Sequence, residues 1–337
     1  MANHISRWPV LATLAFTGCL GINGAQDDPG SPGSPGNDDE STSLSGISSV
    51  SAKAGARPAG RLRVAGAQIV DANRRPVRLT GINWFGLETP NYALDGLWRR
   101  PMATILDQIK TLGFNVIRVP FSTQLFDAGS TPGAIDYWQN QDLIGKTGPE
   151  ILDLLITRAG ARGLRIILDR HRPDSADQSP LWYTPAYSES RWIQDWVNLA
   201  QKYKANPTVV AFDLHNEPHG QATWGDGNPA TDWRLAAQRA GNAILAVDPD
   251  ALIIVEGIEM VEYHWYWWGG NLRAATTAPV ELAVPNHVIY SPHDYPVSIY
   301  PQPWFSAPDY PANLYPLWDV TWGNLAATAP VLVGEFG

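Results

Sequence analysis

Three glutamates follow short apolar segments of strand-like composition, a position where enzymes with parallel sheets place catalytic groups. They are Glu217 in FDLHNEP, Glu256 in LIIVEG and Glu335 in VLVGEFG, and Asp169 and Asp294 stand in similar positions. Two carboxyl groups that flank a glycosidic bond can serve as general acid and as nucleophile or base. A lone strand-end glutamate is often only solvated or paired with arginine, so the set matters more than any member.

The segments around these residues alternate between strand and helix patterns. Apolar residues recur at helical spacing over residues 102–112, 151–161, 192–203 and 233–247. Strands are predicted at Arg78–Asn83 and in FNVIRVP, LRIILDRH, TVVAFDLHNEP, ALIIVEG, HVIYSPHDY and VLVGEFG. A hairpin with a turn around Asp71–Asn73 is predicted ahead of them. Near-continuous apolar strands that alternate with helices indicate a parallel sheet covered on both faces.

Polar residues end several of the predicted strands rather than one or two. An open doubly wound sheet gathers its site at one switch point, whereas a barrel gathers polar residues from many strand ends onto one face. The distribution therefore favours a (β/α)8 TIM barrel. The sequence supplies seven inner strands, so we expect a barrel that lacks its last strand-helix unit.

The composition excludes some functions and leaves one question open. The chain has 337 residues, of which 44% are hydrophobic and 17% charged, and a net charge of -9 argues against nucleic-acid binding. Its fifteen Trp and twelve Tyr indicate either a large aromatic core or a cleft with flat faces for sugar rings. Cys19 is the only cysteine, so zinc-type cysteine spacing is absent. We predict neither a metal nor a cofactor.

The first sixty residues differ from the rest. Residues 1–19 have the pattern of a signal peptide, and Cys19 after FTG matches a bacterial lipoprotein cleavage site, where the cysteine is lipidated. An ordinary signal peptide with an incidental cysteine is the alternative. Residues 20–60 are rich in Gly, Ser, Pro and Asp and are predicted to be a disordered tether. We expect one catalytic domain at residues 61–337 and a secreted or cell-surface protein, joined to membrane only through a lipid anchor.

An ordered series of motifs is more specific than any of these features. INWFG, VIRVPFS, ILDRHRPD, FDLHNEPH, YSPHDY and VGEFG occur in this order, each at a predicted strand end. The series resembles glycoside hydrolase family 5, and closely its bacterial endoglucanase branch, over about Arg61 to Gly337. The resemblance implies that Glu217 is the acid/base and Glu335 the nucleophile of a retaining reaction.

The same resemblance implies substrate-binding roles for further residues. Asn216 matches the residue that hydrogen-bonds the sugar 2-hydroxyl, and Arg118 matches a cation held beside the nucleophile. Tyr295 matches a phenol that orients the nucleophile. The remaining matches are two sugar-contacting imidazoles and an aromatic platform, namely His171, His293 and Trp268.

Several neighbouring residues receive other interpretations. Trp265 and Trp267 are close enough to Trp268 to leave the choice of platform open. Trp84 is interpreted as half core and half cleft floor, and Glu256 and Glu259 as structural or rim residues. The run Asp169–Arg172 is interpreted as an internal charge network with one exposed histidine.

The function implied is that of a monomeric retaining endo-β-1,4-glucanase acting on cellulose or related β-glucans. A β-mannanase or another β-glycanase on the same site is the first alternative, and a surface-tethered polysaccharide-binding protein without activity is the second. Family members continue past the seventh strand through a helix, an eighth strand and a last helix. We therefore expect the chain as given to fold poorly and to have little activity beside a version extended by that unit.

Overall fold

The structure is a computed structural model that describes residues 60–337. The predicted signal peptide, Cys19 and all but the last residue of the predicted tether at residues 20–60 lie outside this part. Among residues 60–337, no helix combines the length and the apolar character needed to cross a bilayer.

The described part contains strands, α-helices and short 3-10 helices. The strands are β1 Arg63–Ala65, β2 Gln68–Val70, β3 Gly81–Asn83, β4 Val116–Ser122, β5 Arg165–Arg172, β6 Val209–Asp213, β7 Leu252–Glu256, β8 Met260–Val261, β9 His264–Trp265 and β10 Val288–Ser291. The α-helices are α1 Met102–Thr111, α2 Gly148–Ala161, α3 Glu189–Tyr203, α4 Trp233–Val247 and α5 Leu314–Thr321. The 3-10 helices are Thr123–Phe126, Gln141–Leu143, Arg273–Thr276, Pro303–Ser306 and Gly323–Ala327.

Six of these strands form one parallel sheet whose spatial order follows the chain order. The order is β3-β4-β5-β6-β7-β10, and α1 to α4 each connect one strand to the next. Every residue of β4, β6 and β7 is buried, as expected for a parallel sheet covered on both faces. Strand order without a reversal is the arrangement of (β/α) barrels and excludes a doubly wound sheet. The predicted barrel class is thereby confirmed.

The seventh predicted strand, at residues 331–335, pairs with β10 without forming a regular strand. Two isolated parallel bridges join Tyr290 to Val331 and His293 to Glu335. The Leu332 amide donates to the Tyr290 carbonyl at 2.9 Å. The pairing therefore brings Glu335 beside His293, as the predicted strand order requires.

The structure confirms the predicted turn at Asp71–Asn73, where Val70 forms an antiparallel bridge with Pro76. It adds an earlier hairpin turn at Gly66 and Ala67 between β1 and β2, and it changes two further details. The first inner strand is only β3, because residues 78–80 are irregular. Helix α5 was not predicted, since its prolines and short length hide any helical period. Pro316 is tolerated there because it lies in the first turn, where no helical hydrogen bond is lost.

Side-chain caps fix where three of the helices begin. Thr147 and Glu150 form a reciprocal capping box at α2. Ser188 accepts from the Arg191 amide at the start of α3, and Asp232 caps α4 in the same way. These caps satisfy amides that a helix start would leave unpaired, and so they set the phase of each apolar face.

Two buried indoles on α3 hold the strand end that precedes Glu217. The Nε1 atoms of Trp192 and Trp196 donate to the Leu214 carbonyl at 2.9 and 3.1 Å. Trp192 also packs against Trp182 and Trp233 with ring centroids 6.3 and 6.1 Å apart. Much of the aromatic content therefore belongs to the core, and this core supports the carboxyl end of β6.

We expect Trp192→Phe to lower the free energy of unfolding by about 2–3 kcal/mol, because it opens a void and removes one hydrogen bond. Urea denaturation followed by circular dichroism measures this. Trp138→Phe is the matched control, since the Trp138 side chain is 90% exposed; it should change stability by less than about 0.5 kcal/mol. Equal effects of the two substitutions would contradict the proposed support.

Candidate active site

Arg118, in the middle of β4, is the centre of the polar cluster at the carboxyl end of the sheet. Its side chain is only 4% exposed. The three guanidinium nitrogens contact five acceptors, which are Asp213 at 2.8 Å, Glu335 at 2.6 Å, Asn216 and Glu256 at 3.0 Å each, and Asp169 at 3.1 Å. The planar fork of arginine can meet several acceptors at once, which a lysine ammonium cannot do with the same geometry.

The charge of Arg118 is fixed by these neighbours. Burial by itself would lower the pKa of Arg118, but the carboxylates of Asp169 and Asp213 raise that pKa well above its ordinary value. The guanidinium is therefore a permanent cation. Burial also disfavours the charged form of Asp213. It raises the pKa of Asp213 well above its ordinary value, although the Arg118 charge lowers that pKa.

Glu335 lies against this cation and is held at both oxygens. Arg118 Nη1 donates to Oε1, and the Tyr295 hydroxyl donates to Oε2. Burial would raise the pKa of Glu335, but the positive charges of His293 and Arg118 outweigh it, and the pKa lies well below its ordinary value. Glu335 is therefore ionised, the form that a nucleophile requires.

Glu217 stands on the other side of the cluster, in a loop that begins after β6. Its backbone is left-handed, with φ at 53°. The Glu217 amide donates to Glu256 Oε2 at 2.7 Å. On the side chain, Oε1 is 3.0 Å from His293 Nδ1, and Oε2 accepts from Gln178 Nε2 at 2.9 Å. The carboxylate is half-buried, so a ligand can reach it.

The two glutamates that the sequence singled out are brought together. One carboxylate oxygen of Glu217, one of Glu335 and a ring nitrogen of His293 lie within 4.8 Å of one another. Retaining glycosidases hold their carboxyl groups about 5–5.5 Å apart, and inverting enzymes about 6.5–9.5 Å apart. An approach of two oxygens to within 4.8 Å places the two carboxyl groups side by side, as a reaction that uses both of them requires.

Asn216 and His171 also lie in the cluster. Asn216 Oδ1 accepts from Arg118, which leaves its buried Nδ2 without a protein partner and able to donate to a ligand. His171 Nδ1 is 2.6 Å from Asp169 Oδ2. Burial lowers the pKa of His171, but Asp169 more than compensates and raises it above its ordinary value. The predicted internal charge network is present around Asp169, but its histidine is largely buried, since His171 is only 12% exposed.

His293 differs from its predicted environment. We predicted a sugar contact, but the ring has no exposed surface, and its two nitrogens face two carboxylates. Nδ1 is 3.0 Å from Glu217 Oε1, and Nε2 is 3.3 Å from Glu256 Oε1. Burial would lower the pKa of His293, yet Glu256 and Glu335 raise it well above its ordinary value.

Trp268 is the neighbouring tryptophan with the most defined setting. It is 38% exposed and stacks on His219 with centroids 3.8 Å apart and planes at 5°. Its Nε1 donates to Glu259 at 3.0 Å. Trp267 is buried against Tyr295, which makes it a core residue. The 38% exposure of Trp268 leaves part of its surface available to a ligand.

Sequence analysis did not assign a site role to three residues of the cluster, namely Glu256, Asp213 and Gln178. Glu256 and Asp213 each end a buried strand, and a charged residue after an apolar run was the available signal. Gln178 lies in the loop after β5, and nothing in its surroundings along the chain marks it. Its role follows only from the contact with Glu217.

Carboxylates and histidines in the described part form three groups that could surround an ion. They are Asp169 with His171 and Glu335, Glu217 with His293 and Glu335, and Asp169 with Asp213 and Glu256. Each group contains at least one carboxylate that already pairs with Arg118. The guanidinium supplies the positive charge that these carboxylates need.

We expect Arg118→Lys to lower the free energy of unfolding by about 3 kcal/mol, because one ammonium cannot bond all five acceptors and leaves some buried carboxylates without a hydrogen bond. Denaturant titration of the purified protein measures this. Arg191→Lys is the control, since Arg191 forms ion pairs with Asp127 and Asp195 at the surface; its cost should stay within about 1 kcal/mol. A mild effect of Arg118→Lys would mean that the cluster tolerates the loss of the fork.

Comparison with known proteins agrees with this geometry. The family model described as cellulase (glycosyl hydrolase family 5) matches residues 70–337. An endoglucanase of Paenibacillus polymyxa is 57% identical over 277 residues, covering 81% of this chain and 70% of that protein. The major extracellular endoglucanase of Xanthomonas campestris pv. campestris is 42% identical, covering 80% of this chain but only 56% of that protein.

Solved structures of an endoglucanase and an endocellulase are also similar to this chain. The catalytic domain of the Xanthomonas endoglucanase superposes with a TM-score of 0.78 at 42% identity, covering 82% of this chain and 81% of that one. A cellotetraose complex of an endocellulase from Pyrococcus horikoshii also has a TM-score of 0.78, at 40% identity, covering 83% and 82% of the two chains. With its barrel strand order and its paired carboxylates, this chain belongs to glycosyl hydrolase family 5.

Proposed function

We propose that this chain is a retaining endo-β-1,4-glucanase in which Glu217 is the acid/base and Glu335 the nucleophile. The observation that carries the proposal is the pairing of these carboxylates within 4.8 Å in two different environments. Glu335 is bound by a guanidinium and a phenol, and Glu217 by an imidazole and an amide. One site therefore offers an ionised carboxylate beside a carboxyl group that a substrate can reach.

The first half of the reaction uses both groups at once. Glu217 in its protonated form donates to the glycosidic oxygen while Glu335 attacks the anomeric carbon, and the leaving chain departs as an alcohol. The Asn216 amide is placed to donate to the sugar 2-hydroxyl, a contact that strengthens as positive charge develops on the ring. A covalent glycosyl ester on Glu335 results.

The second half restores the enzyme. Ionised Glu217 removes a proton from water, the water attacks the anomeric carbon, and the ester bond to Glu335 breaks. The Arg118 guanidinium and the Tyr295 hydroxyl receive the returning carboxylate charge, because both already donate to it. Two inversions at one carbon give net retention.

The substrate class is supported by the named activities of the relatives. Both curated relatives described above are endoglucanases, and the Pyrococcus structure holds cellotetraose. Trp268 is proposed as a sugar platform, since it stacks on His219 and is 38% exposed. A β-1,4-glucan is therefore the proposed substrate, bound by a monomer through residues 61–337 as the catalytic domain.

Secretion is proposed from the same comparison, because the Xanthomonas relative is named extracellular. The signal peptide predicted at residues 1–19 agrees with this location. Lipid anchoring through Cys19 remains a prediction from the sequence, and radiolabelled palmitate incorporation with a Cys19→Ser control would test it.

We expect Glu217→Gln and Glu335→Gln each to reduce the release of reducing ends from carboxymethylcellulose by at least about 100-fold, because each removes one of the two required carboxyl groups. Glu281→Gln is the control, since the Glu281 side chain is 74% exposed; it should keep full activity. Proton NMR of early products from cello-oligosaccharides should show the β anomer. An α product would contradict the retaining mechanism, and preference for mannan would favour the β-mannanase alternative.

We expect His293→Gln to move the acidic limb of the kcat/KM profile to higher pH. The charge of His293 helps to keep the pKa of Glu335 low, so its removal raises that pKa. Glu335 is then protonated, and activity lost, at a higher pH during acidification. His287→Gln is the control, because His287 lies at the opposite end of β10 and contacts the Ala251 carbonyl. An unchanged acidic limb in His293→Gln would exclude this electrostatic role.

A further inference from the structure

Glu256 is the last residue of β7 and has no exposed surface. Its two oxygens have different partners. Oε2 accepts from the Glu217 amide at 2.7 Å, while Oε1 faces Arg118 Nη2 at 3.0 Å and His293 Nε2 at 3.3 Å. A buried carboxylate with three such contacts does more than fill space in the core.

The contact with the Glu217 amide fixes the backbone of that residue. Glu217 has φ at 53°, a region that residues with a Cβ rarely adopt and that persists only where the surroundings impose it. The Glu256 oxygen at 2.7 Å supplies a restraint of this kind, because it satisfies an amide that would otherwise have to find another acceptor.

The contact with His293 fixes the side chain of Glu217. The imidazole lies between the two glutamates, with Nδ1 3.0 Å from Glu217 Oε1 and Nε2 3.3 Å from Glu256 Oε1 at ion-pair distance but without hydrogen-bond geometry. A carboxyl group beside one nitrogen of a buried ring favours the orientation that the other nitrogen needs, as in the carboxylate–histidine pairs of metal and triad sites. Glu256 therefore acts on Glu217 by two routes, through the main chain and through the ring.

The loop after β9 closes over this contact. A Cβ atom at Gly269 would lie 2.3 Å from Glu256 Oε2 and 3.1 Å from Glu217 Cα, so only glycine fits against the pair. Trp233 Nε1 donates to the Glu256 carbonyl at 2.9 Å and holds the strand end from the other side. The carboxylate thus has little freedom to move away from its partners.

We propose that Glu256 is a positioning residue for the acid/base, which it holds through the Glu217 amide and through His293. The proposal rests on the proposed function, since it assigns the acid/base role to Glu217. It differs from a general structural role in one respect: loss of Glu256 should damage proton transfer to the leaving group more than attack by Glu335.

Leaving-group dependence measures that difference. A dinitrophenolate leaves without protonation, so dinitrophenyl β-cellobioside needs no acid in the first step, whereas cellotetraose does. In Glu256→Gln we expect kcat/KM for cellotetraose to fall about 100-fold and that for the dinitrophenyl substrate to fall less than about fivefold, in line with the usual size of acid catalysis.

Azide supplies an independent readout. It attacks the anomeric carbon of the glycosyl ester, forms a carbon–nitrogen bond and returns the electron pair to the Glu335 carboxylate, and it needs no general base. We expect azide to raise kcat of Glu256→Gln on the dinitrophenyl substrate and to yield β-cellobiosyl azide, while the unsubstituted protein is unaffected.

Asp213→Asn is the matched control. Asp213 is also fully buried and accepts from Arg118 Nε at 2.8 Å, but it has no hydrogen bond to the Glu217 amide or to His293 among the described residues. Its loss should reduce kcat/KM for both substrates by the same factor, without azide rescue. If Glu256→Gln fails to fold, Glu256→Asp replaces it under the same criteria, because its shorter side chain withdraws from the Glu217 amide but keeps the charge.

Equal loss on both substrates in the Glu256 variant, or no response to azide, would overturn the proposal and assign Glu256 to the Arg118 cluster alone. Failure of the proposed function has a different signature. In that case the unsubstituted protein hydrolyses neither cellotetraose nor dinitrophenyl β-cellobioside.

Discussion

One buried guanidinium faces carboxylates that arrive from four other segments of the sheet, and the architecture of the site depends on this meeting. Ionised groups out of water are costly unless they are paired with good geometry, and removing one partner leaves the others uncompensated. Arg118 lies on β4; of its acidic neighbours, Asp169 lies within β5, Asp213 and Glu256 end β6 and β7, and Glu335 follows β10 along the chain. The cluster therefore requires the strands to keep their order and register.

The same cluster makes the two central glutamates unlike. Glu335 is held ionised by a permanent cation, whereas Glu217 has an imidazole and an amide as partners, although both side chains are 14% exposed. A parallel backbone bridge joins His293 to Glu335, and the His293 ring contacts Glu217. His293 therefore links the two glutamates. The two-step chemistry of a retaining glycosidase needs this difference, since one carboxyl group must attack while the other carries a proton.

Outside the sheet, aromatic residues hold the site in place. The α3 indoles bond the Leu214 carbonyl two residues before Asn216, and Trp233 bonds the end of β7. Rigid supports of this kind matter because small displacements of catalytic groups cost much of the rate. Both interpretations of the tryptophan content therefore apply. Six tryptophans of the described part are buried in the core, while Trp268 is 38% exposed and available to a ligand.

The sequence by itself determined the strand and helix alternation, the barrel order and the identity of the two main carboxylates. Apolar period and ordered motifs report burial and chain order, and these suffice to put Glu217 and Glu335 at one end of a sheet. Only the tertiary structure decided that His293 lies beneath the carboxylates, that Gln178 reaches Glu217, and that Glu256 bonds its amide. Local sequence patterns do not show which distant side chains pair with one another in a buried charge cluster. That pairing depends on the register of the strands and on the left-handed backbone of Glu217, which no sequence motif reveals.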